Sequence, residues 1–272
     1  MFLRYALKKC FVTPEIEASF EKIPKSVGSF GYDPWGYNHE GAQIWMGALK
    51  PLFDKYFRVK TVGLEHIPAQ GRVLVVANHG GQLPIDGALI GVALATNPYA
   101  PRAPRHMVDR WVPTIPYLGN AFNEAGAVLG DPVNCAKMLR NEEAVVVFPE
   151  GVRGSGKPFR KRYQLQRFGQ GFMHLAINEK TPIVPVGVVG CEEIIPSLAN
   201  VNILAHLLRM PYFPLCPPFP LPVQVRLYFG EPMMFSNGDM SETEVQRKVN
   251  QVKTAIAALI KRGLGERKGW FA

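Results

Sequence analysis

The sequence predicts an α/β fold: a largely parallel central sheet flanked by helices, with an irregular N-terminal arm. Three observations carry that expectation. The runs Val73-Leu74-Val75-Val76-Ala77, Ala144-Val145-Val146-Val147-Phe148 and Ile183-Val184-Pro185-Val186-Gly187-Val188-Val189 are apolar without polar alternation, as strands covered on both faces require. Helix-compatible segments separate them, and strand, helix, strand alternation implies parallel strands. With 272 residues, 47% of them hydrophobic and 11% aromatic, the chain can bury one sizeable core and is short for two. The expected organisation is an arm over residues 1–39, a main domain over 40–263 and a tail over 264–272.

Met1 to Val12 places Arg4, Lys8 and Lys9 among Phe2, Leu3, Tyr5, Leu7 and Phe11. It lacks the long apolar centre and cleavage site of a secretion signal. It reads as a basic amphipathic helix, lying on a membrane surface or docked on the body. From Thr13 to Asn38, Pro14, Pro24, Gly28, Gly31, Pro34 and Gly36 break any long element, so this stretch is expected to be irregular. Glu40 to Tyr56 carries a helical stripe of Ile44, Met46, Leu49, Leu52, Phe53 and Tyr56. Gly63 to Pro68 leads into the strand Val73 to Ala77, and Gly87 to Leu94 is a short helix with Pro84 in its first turn, where a missing N–H costs nothing. A strand follows at Arg105 to Val108, a helix at Asn134 to Glu142, the second apolar strand, a helix at Gly169 to Asn178 and the third apolar strand. A late strand at Val223 to Phe229 extends the sheet. The last element is a helix with Ser241 and Glu244 as a capping box and a buried stripe of Val245, Val249, Val252, Ile256, Leu259 and Ile260, ended by Gly263.

Lys and Arg number 31 against 22 acids, a net charge of +9. That excess favours an anionic partner: nucleic acid, a phosphorylated metabolite or a lipid headgroup. Cys10, Cys135, Cys191 and Cys216 are widely spaced, which argues against a metal site and fits buried, reduced thiols of a cytosol-facing protein. No apolar stretch reaches the roughly 18 residues of a transmembrane helix.

Two segments carry chemistry. After the first apolar strand comes Asn78-His79-Gly80-Gly81-Gln82-Leu83-Pro84-Ile85-Asp86, which sets an imidazole and a carboxylate at a strand end, where α/β folds keep their sites. Either the carboxylate orients His79 as a general base, or both side chains satisfy local backbone groups. After the second strand comes Pro149-Glu150-Gly151-Val152-Arg153, opening a run with six basic residues, Arg153, Lys157, Arg160, Lys161, Arg162 and Arg167, and no acid through residue 167. Glu150 can accept from substrate hydroxyls, and the Arg153 fork suits a phosphate. Gly151 to Lys157 also fits the G-x-x-x-x-G-K half of a nucleotide-binding loop, but Pro158 stands where its metal-binding hydroxyl belongs, so that reading is rejected. Ser155 is not a nucleophile elbow, because Arg153 and Lys157 replace the required glycines.

Asn78-His79 with Asp86, Phe148-Pro149-Glu150-Gly151 with Arg153, and Ile183-Val184-Pro185-Val186 together resemble the glycerolipid acyltransferase family, whose members include lysophosphatidate acyltransferases. The resemblance covers roughly residues 60 to 235. It implies His79 as general base, Asp86 as its orienter, and Glu150, Gly151, Arg153 and Lys157 as the acceptor and phosphate-binding group. Gly80 and Gly81 are candidate oxyanion donors. Val184-Pro185 either shapes an acyl channel or is plain core strand. The implied reaction moves a fatty acyl group from acyl-CoA or acyl-ACP to a glycerolipid hydroxyl such as that of lysophosphatidate, with no cofactor, no metal and no nucleic-acid partner. Its alternatives are a diacylglycerol or wax-type enzyme with a neutral acceptor, and a non-catalytic membrane lipid-binding protein.

The chain departs from the family pattern in two places. Six residues lie between His79 and Asp86, two more than the common spacing. The region Gly126 to Asp131 lacks the arginine that usually follows its glycine, so acceptor recognition is expected to differ, as in a divergent branch. Met210 to Pro222 joins Tyr212, Phe213, Leu215 and Phe219 to six prolines, which excludes a regular helix or central strand. This excursion either anchors the protein at a membrane interface or packs over the site. The expected location is peripheral, on the cytosolic face of a membrane.

Overall fold

A computed structural model describes residues 2–25, 28–110, 112, 118–207, 213–236, 238 and 240–271. The arm holds α1 (Phe2–Phe11) and α2 (Pro14–Glu21), which precede α3 (His39–Pro51). The stretch from Thr13, expected to be irregular, thus begins with a helix. Thr13 accepts the Ile16 N–H at 3.4 Å as its N-cap, Pro14 fills the first position, and Ile16 and Phe20 are buried. Helix α1 docks through Arg4, which donates to Glu124 at 2.6 Å, yet Leu3 and Tyr5 remain 71% and 66% exposed.

The domain continues with β1 (Lys60–Val62), β2 (Val73–Ala77), α4 (Ile85–Ala95), β3 (Pro104–Val108), α5 (Leu118–Glu124), β4 (Ala127–Leu129), α6 (Pro132–Arg140) and β5 (Ala144–Val147). It goes on through α7 (Val152–Ser155), α8 (Gly171–Asn178), β6 (Ile183–Val189), α9 (Cys191–Ile194), β7 (Ala199–Asn200) and α10 (Asn202–Leu207). The last elements are β8 (Pro214–Leu215), β9 (Arg226–Phe229) and α11 (Glu242–Glu266). Seven strands form one sheet in the order β1-β9-β6-β2-β5-β3-β4. The five from β6 to β4 run parallel, while β9 pairs antiparallel with β6 and parallel with β1. The mainly parallel sheet is as expected. The three-residue strands β1 and β4 are too short to leave a hydrophobic pattern in the sequence.

Strand β2 is central, and its side chains alternate between two cores. Val73, Val75 and Ala77 pack with Leu89, Ile90 and Leu94 of α4, whereas Leu74 and Val76 pack with Met138, Met173 and the Val249 and Ile256 stripe of α11. This three-layer arrangement fixes the end of β2 rigidly, with burial of each large aliphatic side chain contributing about 1.5–3 kcal/mol. Helix α11 runs past Gly263, its expected end. Gly263 is buried, and a Cβ there would lie 2.7 Å from the Tyr228 ring and 2.9 Å from Val189. Close packing, not helix termination, accounts for that glycine.

Of the four thiols expected to be buried, Cys135 and Cys191 are, but Cys10 is exposed and Cys216 only half-buried. Among the described residues no helix is long and apolar enough to cross a membrane.

Candidate active site

The site forms where β2 ends. The Asn78 side chain closes a two-way bond with β6, accepting the Val188 N–H at 2.7 Å and donating to the Val188 carbonyl at 3.1 Å. His79 follows with its backbone fixed to the next strand end: its N–H donates to Glu150 Oε1 at 3.0 Å. The chain then turns through Gly81, whose φ of +98° favours glycine. Leu83 and Pro84 bulge into solvent, and the Ile85 N–H donates to the Leu83 carbonyl at 2.7 Å. That bulge absorbs the two extra residues.

Asp86, on the first turn of α4 and fully buried, therefore reaches the ring. His79 Nδ1 lies 2.6 Å from Asp86 Oδ2, which also accepts the Gly80 N–H at 3.0 Å, while Oδ1 accepts the Gly87 N–H at 2.8 Å. With Nδ1–H facing a carboxylate, the neutral ring carries its lone pair on Nε2. Phe148 stacks beside the imidazole, 4.5 Å between centroids and tilted by 33°. Burial works against the imidazolium, but the Asp86 carboxylate outweighs it and holds the His79 pKa above the ordinary histidine value.

The second motif lies against the first but faces inward more than the sequence suggests. Glu150 is buried, with Oε1 taken by the His79 N–H and Oε2 by the Gln166 N–H at 2.6 Å. Lys157 is buried too, donating to Glu192 Oε1 at 3.1 Å and lying 3.8 Å from Glu150 Oε2. Burial raises the Glu192 pKa, and the facing Lys157 ammonium opposes that rise. Arg153, Arg160, Lys161 and Arg167 are exposed. Glu150 and Lys157 thus brace the loop in the structure, and of the expected acceptor group only Arg153 projects a charge into solvent. The Gly80 N–H is engaged by Asp86, whereas no partner for the Gly81 N–H occurs among the described residues.

Several contributors were not singled out from sequence. Gly154 backs directly on His79: a Cβ there would sit 2.8 Å from His79 Cβ and 2.9 Å from its carbonyl oxygen. Gly154→Ala is expected to displace His79 and lower the turnover number roughly tenfold or more, read by steady-state kinetics with circular dichroism as the folding control. His106, on β3, lies against Gly91 of α4; burial pushes its pKa down to about 4, so it is neutral at physiological pH. Glu192 and Glu193 follow β6 on α9. Their signal was available: two adjacent acids after a buried strand, against a cation run with no acid of its own.

A basic ring with an oriented, stacked imidazole and an accessible Nε2, beside a surface rich in cations, can remove a proton from a bound hydroxyl or thiol. Comparisons with known proteins agree in direction. The family model described as Acyltransferase matches residues 58–189. An uncharacterized protein of Mycobacterium tuberculosis is 38% identical over 260 residues, covering 90% of this chain and 72% of the relative. The human protein named as a DGAT1/2-independent enzyme synthesizing storage lipids is 26% identical, over 82% of this chain and 68% of its own. Among solved structures, the 1-acyl-sn-glycerophosphate acyltransferase PlsC from Thermotoga maritima superposes with a TM-score of 0.56 at 20% identity, covering 84% of this chain and 83% of that one. That likeness is one of fold, and the sheet and helix layers described above are similar to it. The family match spans the strands from β1 to β6 and both motif-bearing strand ends, and this chain belongs to the acyltransferase family, as its three motifs imply.

Proposed function

We propose that this acyltransferase moves a fatty acyl group from an acyl thioester, acyl-CoA or acyl-ACP, to the hydroxyl of a glycerolipid, with His79 as general base. The observation that carries the reading is the 2.6 Å contact between His79 Nδ1 and buried Asp86, which leaves Nε2 as the proton acceptor. In the step so inferred, the acceptor oxygen bonds to the thioester carbonyl carbon as its proton passes to Nε2. The carbonyl oxygen becomes an oxyanion, for which the Gly81 N–H is a candidate donor. Collapse breaks the C–S bond, and the departing sulfur takes the proton back from the imidazolium. Asp86 holds the ring and offsets its positive charge. The thioester supplies the activated acyl carbon, so the protein's own work is orientation, proton transfer and charge stabilisation.

Arg153, with Arg160 and Lys161 nearby in the chain, supports a phosphate-bearing substrate, either lysophosphatidate or the carrier itself. Glu150 and Lys157 enter this reading as braces of that loop. A neutral acceptor is the second reading, favoured by the relative named for storage-lipid synthesis and by Lys157 being turned inward. Purified protein incubated with radiolabelled acyl-CoA and either lysophosphatidate or diacylglycerol separates the two. Transfer to lysophosphatidate at least tenfold faster supports the first, the reverse supports the second, and transfer to neither, from any carrier, would leave a lipid-binding protein.

Membrane association is proposed on exposed apolar side chains of the excursion and of the segment before it: Leu215 and Phe219 are 55% and 76% exposed, and Leu198 and Ile203 are 72% and 83% exposed. Phe213 is half-buried, and Tyr212 lies outside the described residues. Each side chain that enters a bilayer contributes about 1.5–3 kcal/mol. Replacing Leu198, Leu215 and Phe219 by Ser is expected to weaken partitioning onto anionic liposomes roughly tenfold or more. Undiminished flotation of that variant would remove the excursion from the anchor.

A further inference from the structure

Behind the cation-rich loop lies a buried network that none of the three motifs contains. Glu193 on α9 is fully buried, and Arg267, just beyond α11, donates to both its oxygens at 2.8 Å. The Arg162 guanidinium lies 3.8 Å from the same carboxylate. Arg267 also donates to Tyr163 Oη at 3.3 Å, and that oxygen accepts the Gly190 N–H at 3.0 Å. The Tyr163 N–H donates to Glu192 Oε2 at 3.0 Å, Glu192 pairs with Lys157, Lys157 faces Glu150, and Glu150 accepts the His79 N–H. An unbroken chain of polar contacts therefore runs from Arg267 to the backbone of the candidate base.

Two features argue for more than stability. Buried ion pairs are often no more stabilising than apolar side chains of the same volume, because desolvation offsets their attraction. And Tyr163 sits at φ +61°, a left-handed conformation costly for a bulky aromatic, which persists where the surroundings over-determine it. Here its N–H and its hydroxyl are both held. Trp270 adds an edge contact to Phe159 at 5.6 Å, tying the same loop to the segment after α11.

We propose that Arg267, Glu193 and Tyr163 are positioning residues that hold the 153–167 loop, with exposed Arg153, Arg160 and Lys161, in register with His79 and so set the affinity for the phosphorylated substrate. The proposal rests on the acyl-transfer reading above. Its test is steady-state kinetics with acyl-CoA and lysophosphatidate, using Tyr163→Phe and Arg267→Met, with Arg267→Lys as the conservative variant. A roughly tenfold or greater rise in KM is expected, with kcat within about threefold of wild type and the acidic limb of the pH profile unmoved. Arg267→Lys should recover part of the loss. Repeating the series with the thioester of dephospho-CoA separates the sources: a KM defect that vanishes assigns the loop to the carrier's 3′-phosphate, and one that persists for lysophosphatidate assigns it to the acceptor. Should Arg267→Met leave Glu193 with only the 3.8 Å contact to Arg162 and the chain unfolded, the double variant Arg267→Met with Glu193→Met removes both charges. Unchanged KM in folded variants, with only a lowered melting temperature, would overturn the proposal. An inactive wild type would overturn the acyl-transfer reading beneath it, a distinct result.

Discussion

His79→Ala is expected to lower acyl transfer by roughly 10²–10⁴-fold, the usual contribution of a positioned general base. The substitution removes the oriented imidazole at the end of β2, and Glu150 beside it cannot take over the acceptor's proton, being buried and bonded to two backbone N–H groups. It should leave the fold intact, because the end of the strand is held by Asn78 and by the His79 backbone, neither of which needs the ring. Buried Asp86 keeps the Gly80 and Gly87 N–H groups as donors after the ring is gone. Release of free thiol from acyl-CoA in the presence of acceptor reads the effect. Retention of more than about a tenth of wild-type activity would contradict a base role for His79, given that range.

Asp86→Asn is expected to produce a loss of similar order with a different signature. The ring acts as a base only when neutral, so activity falls as pH drops through its pKa. The Asp86 carboxylate holds that pKa above the ordinary histidine value of about 6.5. The acidic limb of kcat/KM for the wild type should therefore lie above that value. Removing the carboxylate's charge leaves burial opposed only by the smaller contributions of the Glu150 and Asp109 charges, so the limb should move to lower pH even as the plateau falls. The plateau falls because an amide can donate to Nδ1 instead of accepting from it, which would leave the proton on Nε2, where the base is needed. Profiles from pH 5 to 9 on both proteins check this. A limb that stays in place would mean that Asp86 has no electrostatic hold on the titrating group.

Much of this geometry was legible in the sequence because it depends on local patterns. An apolar run that stops at Asn78-His79 and another that stops at Pro149-Glu150 place two motifs at neighbouring strand ends once the sheet is parallel, and β2 does pair with β5. Whether Asp86 reaches the ring was not legible, since it depends on a bulge at Leu83-Pro84 and a left-handed Gly81. The inward turn of Lys157 was hidden for a different reason: its partner Glu192 lies 35 residues away, beyond any spacing rule. Gly263 shows the converse. A glycine in the last turns of a helix is locally a stop signal, but here the ring of Tyr228 needs the room. Helix α2 was readable from Thr13-Pro14 and was obscured only by the prolines and glycines that follow.

The arrangement also separates two kinds of charge within one loop. Lys157, Arg162 and Arg267 face the buried acids Glu150, Glu192 and Glu193, while Arg153, Arg160 and Lys161 face solvent. The three inward cations are matched by the three acids and add nothing to the net charge of +9, to which solvent-facing Arg153, Arg160 and Lys161 contribute and which a phosphate would meet.

Mass spectrometry of the lipid product tests the central claim most directly. Purified wild-type protein is incubated with acyl-CoA carrying an isotopically labelled fatty acyl chain and with a glycerolipid acceptor bearing a free hydroxyl, beside His79→Ala under the same conditions. The account predicts a labelled ester on the acceptor, formed in step with free coenzyme A thiol and nearly absent from the variant. Labelled free fatty acid without the ester, or equal ester from both proteins, would contradict it.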